Sequence, residues 1–104
     1  MTTQLIVLRD RLGTDISNRY QAAILRQEVV TIIDSHGPDA TAEFDFTGVR
    51  TMSDSLADEL FAVLVEERGE DWFRQHIRVL NLSPILRQTL LQAVQSRLCD
   101  FETA

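Results

Sequence analysis

The chain contains no lysine; all ten of its basic residues are arginine. Chemistry that needs a lysine amine, such as a P-loop phosphate clamp or a Schiff base, is therefore excluded. Cys99 is the one cysteine, which rules out an internal disulfide and a thiolate zinc site. Four glycines and two prolines are too few for a turn-rich all-β sandwich. A hydrophobic share of 44%, with five phenylalanines, argues against disorder. Long apolar runs are also missing. MTTQLIVLRDR offers four consecutive apolar residues and no cationic lead, which reads as neither a signal peptide nor a membrane span. The expectation is a cytoplasmic protein folded as one domain over residues 1–104. A net charge of −6, with acids spread along the chain, is unsuited to nucleic-acid backbones, and neither nucleic acid nor membrane is expected as a partner.

Apolar patterning divides the chain into alternating strands and helices. Leu5–Leu8 is a short unbroken apolar run and predicts a strand buried on both faces. A turn at Gly13-Thr14-Asp15 follows, with Thr14, Asp15 or Ser17 as candidate caps for a helix from about Ile16 to Ser35. Ala22, Leu25, Val29, Ile32 and Ile33 form that helix's core stripe. Ile16, Tyr20, Ala23 and Ile24 form a second stripe, read as internal burial or as a face shown to a partner, with burial the simpler expectation.

Thr41–Phe46 is the second strand. The helix from Asp54 to Arg68 should bury Leu56, Leu60, Phe61, Val63 and Leu64 and leave Asp58, Glu59, Glu66 and Glu67 in solvent. Glu70–His76 predicts a short helical turn whose Trp72 and Phe73 cover one end of the core. Ile77–Leu82 is a third strand. Ser83-Pro84 then supplies a hydroxyl cap and a proline at the first helical position, opening a last helix to about Cys99. The order β-α-β-α-β-α implies an α/β fold with a largely parallel sheet. Three strands leave at least one sheet edge exposed or paired, which favours self-association and makes a homo-oligomer a reasonable expectation.

Ligands of such sheets sit beyond the carboxyl ends of the strands, where Asp10, Asp45–Asp54 and Asn81–Ser83 converge. Ser53, Asp54 and Ser55 stand just ahead of the Asp54–Arg68 pattern. Any of them can cap it, and Ser55-Leu56-Ala57-Asp58 resembles a loose capping box. A phosphoacceptor fits the same place, since free N–H groups and the helix dipole favour a dianion there. Arg50, in the preceding turn, suits a phosphate, a partner carboxylate or plain solvent. His36, His76 and Cys99 are read as packing or surface residues. With no nucleophile–base pair, glycine-rich cradle or metal motif in the sequence, the expectation is a protein that is not an enzyme and uses no cofactor or metal.

Phe44-Asp45-Phe46-Thr47-Gly48-Val49, Ser53-Asp54-Ser55-Leu56-Ala57-Asp58-Glu59-Leu60 and Val79-Leu80-Asn81-Leu82-Ser83 together resemble a STAS domain. The likeness is to the bacterial STAS-like family of unknown function, related to anti-sigma factor antagonists. In those antagonists the turn reads Asp-Ser-Ser-Gly-Leu, and a partner anti-sigma kinase phosphorylates the second serine and is thereby released. This resemblance implies Ser55 as phosphoacceptor and Asp45 as the end of the strand. It also implies a partner surface including Asp45, Arg50, Ser53, Asp54 and Ser55, and a histidine-kinase-like ATPase as partner. Here the order is Ser-Asp-Ser, with Leu56 in place of the glycine. The function expected is therefore a signalling module for protein–protein interaction. The alternative is a structural or oligomerisation domain without a phosphorylation switch.

Overall fold

A computed structural model describes residues 3–103 of the chain, with side chains described through Arg97. Three parallel strands, β1 (Thr3–Val7), β3 (Thr41–Asp45) and β5 (Ile77–Leu80), form a sheet in the order β1-β3-β5. Between β1 and β3 run a short helix α1 (Leu8–Leu12), strand β2 (Asp15–Ile16) and helix α2 (Arg19–His36). Strand β4 (Thr51–Met52) and helix α3 (Asp54–Ala57) follow β3. A π-helical segment (Asp58–Ala62) and helix α4 (Val63–Arg68) then continue the same rod. Helix α5 (Glu70–His76) leads into β5, and α6 (Pro84–Thr103) closes the chain. The α/β fold with a parallel sheet is as the sequence predicts.

Strands added successively in one direction through right-handed crossovers place their helices on one face of the sheet. Burial follows that rule. Ile6, Ala42, Phe44 and Ile77 are buried and share one core with Leu25 and Val29 of α2, Leu56, Leu60, Phe61 and Leu64 of the α3–α4 rod, and Leu86 and Leu90 of α6. Phe61 is at its centre, edge-on to Phe44 at 5.0 Å and to Phe73 at 6.5 Å, with Phe46 at 6.0 Å. The opposite face is open. Leu5, Glu43 and Arg78 lie level across the three strands, and Leu5 is 52% exposed. The expected burial of the first strand on both faces is thus corrected: all the helices are spent on the other side. Its bounds also shift, because Leu8 turns into the core as the first residue of α1.

Other differences have local causes. Ile16 belongs to β2, not to the long helix, which starts at Arg19 behind an Asn18 cap: Gln21 N–H donates to Asn18 Oδ1 at 3.0 Å. None of Thr14, Asp15 or Ser17 is that cap. Strand β2 pairs in parallel with β4, a two-residue pairing too short to show as periodicity. The second stripe is divided: Ile16 is buried in the core and Ala23 is half-buried, but Tyr20 and Ile24 face water at 77% and 47% exposed, so the expected internal burial fails for those two. The third strand ends at Leu80, since Asn81 takes a left-handed φ of 58°. Ser83 caps α6 as expected, its Oγ accepting from Leu86 N–H at 3.3 Å. His76 is buried, its Nδ1 2.6 Å from the Ala40 carbonyl and its ring 4.9 Å from that of Trp72. The side chain of Cys99 lies outside the described residues.

Candidate functional site at paired helix starts

Strands β2 and β4 bring two helix starts together. The Thr14 carbonyl accepts from Arg50 N–H at 2.7 Å, and the Ile16 carbonyl accepts from Ser53 N–H at 3.0 Å. Side chains reinforce the pairing. Asp15 takes a two-pronged bond from Arg50, at 3.1 and 2.8 Å, and a third from Thr51 Oγ1 at 2.8 Å. These bonds, that of Arg50 foremost, hold the Asp15 carboxyl below its usual pKa. Arg50 is therefore occupied in fixing the approach to the site.

Ile16 and Met52 are register partners, so Arg19 and Ser55 each stand three residues beyond paired positions. On the α3 side, Ser53 is the cap: its Oγ accepts from Leu56 N–H at 3.1 Å, and its carbonyl accepts from Ala57 N–H at 3.1 Å. The capping box expected to start at Ser55 does not form, because Ser53 already holds that role. Asp54 and Ser55 are exposed in the first turn, and Ser55 Oγ has no hydrogen-bond partner among the described residues. A shallow cleft of about 330 Å³ runs from this turn to α6, lined by Asp54, Asp58, Gln92, Ala93 and Ser96.

Asp58 and Glu59, expected in solvent, sit in an arginine cluster. Arg97 of α6 grips Asp58 with two bonds of 2.6 Å and also pairs with Glu66. Arg26 of α2 lies 3.3 Å from the Glu59 carboxylate and donates to the Glu59 main-chain carbonyl at 2.5 Å. Arg19 straddles both acids at 3.7 and 3.6 Å. Hydrogen bonding to Arg97 keeps the Asp58 carboxyl below its usual pKa against the opposing effect of burial. Sequence reasoning missed Arg19, Arg26 and Arg97. A signal existed for two of them, since residues seven apart fall on one side of a helix.

Asp45 belongs to a different group. Its Oδ1 accepts from Thr47 N–H at 2.9 Å, Thr47 Oγ1 at 2.6 Å and Asn81 Nδ2 at 3.0 Å. These bonds, Asn81 first, lower its pKa and tie the ends of β3 and β5 together. Of the five site residues expected, Ser53, Asp54 and Ser55 therefore share the α3 start, Arg50 braces it from the residue before β4, and Asp45 latches the sheet.

A family model described as a STAS-like domain of unknown function (DUF4325) matches residues 21–86, which run from the first turn of α2 to the first turn of α6. The chain belongs to this STAS-like family. No curated protein and no solved structure matches it. The matched stretch of this STAS-like domain contains Asp45, Arg50, the Ser53 cap, the exposed Ser55 and the arginine-bound Asp58 and Glu59. Among the described residues, no helix is long and apolar enough to cross a membrane.

Proposed function

We propose that this STAS-like domain is a non-enzymatic, cytoplasmic regulatory module of anti-sigma-antagonist type. It docks a protein partner through the paired starts of α2 and α3 and is released when Ser55 is phosphorylated. The observation that carries this reading is the division of labour between two serines. Ser53 does the capping, so the exposed Ser55 hydroxyl, without a hydrogen-bond partner among the described residues, is available for reaction. Its place in the first helical turn suits an added dianion, and the family resemblance supplies the partner class, a histidine-kinase-like ATPase.

In the reaction, Ser55 Oγ attacks the γ-phosphorus of ATP held by the partner, and the bond from that phosphorus to the bridging oxygen of ADP breaks. ADP leaves, and the serine proton passes to a base on the partner. The new charge stands beside Asp54 and Asp58, and this crowding of negative charge weakens a contact built on the unmodified surface. Incubation with ATP and a histidine-kinase-like ATPase from the same cell, followed by intact mass measurement, tests the reading. Gain of one phosphate, lost in Ser55→Ala, is expected. An unmodified chain that forms no complex with any such ATPase overturns it.

Exposed Tyr20 and Ile24 favour a second reading, an oligomerisation domain without a switch. Light scattering separates the two: a dimer abolished by Tyr20→Ser with Ile24→Ser supports self-association, whereas a monomer removes it.

A further inference from the structure

Among the arginines around the α3 start, Arg19 is the one its partners can do without. Asp58 keeps its two-pronged bond from Arg97 at 2.6 Å, and Glu59 keeps Arg26 at 3.3 Å. Arg50 is committed to Asp15 at 2.8 Å. The contacts of Arg19 are the longer 3.7 and 3.6 Å, and its side chain is 59% exposed. It is loosely held and redundant to both acids.

Its location matters as much as its freedom. Asp58 and Glu59 stand three and four residues after Ser55, so Ser55 lies one turn along the same helix face. Arg19 reaches those two acids across the α2–α3 gap, at 3.7 and 3.6 Å, and so stands one turn from Ser55. From this geometry we infer that Arg19 is the internal receptor for a phosphate on Ser55. It leaves Asp58 and Glu59 and pairs with the phosphoserine. A phosphate dianion carries about twice the charge of a carboxylate and offers three acceptor oxygens to a guanidinium fork, so the exchange is favourable. Arg97 and Arg26 stay in place and keep the acids satisfied. This deepens the reading of Ser55 as phosphoacceptor and rests on it, adding how the fold registers the modification.

The test avoids any kinase by installing phosphoserine at position 55 during synthesis, so its failure is distinct from a failure of enzymatic phosphorylation. Phosphorus NMR then follows the second ionisation of the phosphate with pH in the parent, Arg19→Gln and Arg19→Lys proteins. The midpoint in the parent is expected about one pH unit below that of Arg19→Gln, because a cation within a few ångströms favours the dianion. Arg19→Lys, which keeps the charge, should recover part of that shift. Equal midpoints in the parent and Arg19→Gln overturn the inference. So does an equal rise of the midpoint in an Arg26→Gln control, which would assign the effect to the general field of the cluster.

Discussion

Arg26 Nη1 donates to the main-chain carbonyl of Glu59 at 2.5 Å, where the helix after the cap widens into a π turn. The wide turn is visible in the ladder itself, since Val63 N–H bonds the Asp58 carbonyl five residues back. A guanidinium from the neighbouring helix thus supplies a donor to a backbone group beside the irregularity, which is what a part-buried carbonyl requires.

That relationship predicts the first outcome. Arg26→Met keeps the apolar stem, whose side chain is 13% exposed, and removes the donor. The part-buried carbonyl loses its partner at a cost of about 1–3 kcal/mol. A urea titration should show a lower midpoint with an unchanged slope. An unmoved midpoint would mean that water replaces the guanidinium.

The two serines should respond in opposite ways. Ser53→Ala removes the acceptor for Leu56 N–H and should cost about 1 kcal/mol. Ser55→Ala replaces an exposed first-turn hydroxyl with a good helix former and should stay within about 0.5 kcal/mol of the parent. Thermal unfolding of the pair checks this. A large loss in Ser55→Ala would mean that its hydroxyl has a structural task and would weaken the case for a free phosphoacceptor.

The difference between those serines also shows what the sequence could convey. The Ser53–Ser55 cluster marked a helix start legibly, because caps depend on residue type and position. Which serine capped it depended on a one-residue choice of where helical dihedrals begin. Strand β2 was unreadable: two residues have no period, and its stability comes from Asp15 bonding Arg50 and Thr51, 35 and 36 residues away. The exposure of Tyr20 and Ile24 was equally hidden, since periodicity reports that a stripe exists and not whether anything covers it. Asp58 and Glu59 read as solvated because charged residues usually are, whereas their three arginines come from α2 and α6.

Gly48 has a φ of 81°, and a Cβ built there would stand 2.8 Å from Cδ of Arg9. Gly48→Ala should therefore cost about 1–2 kcal/mol for the left-handed backbone, plus the displacement of Arg9. Repeating the change in an Arg9→Ala background removes the second part. A double-mutant cycle on urea midpoints should give a coupling of about 0.5 kcal/mol or more. Strict additivity would show that Arg9 swings aside freely.

Arg97 ties α6 to the α3–α4 rod through Asp58 and Glu66, and its contribution should depend on pH with a defined sign. The Asp58 carboxyl titrates below its ordinary 3.8 in the folded protein, chiefly because Arg97 hydrogen-bonds its charged form. A carboxylate with a depressed folded pKa stabilises the fold above its unfolded value, and that stability is lost as pH falls through the folded value. Arg97→Ala should therefore cost about 2 kcal/mol at neutral pH, the scale of hydrogen bonds to a charged group. The gap between parent and variant urea midpoints should hold steady down to about pH 4 and then narrow as Asp58 takes up its proton. If the gap instead persists undiminished in acid, the arginine acts through the packing of its stem against the rod and not through the ion pair.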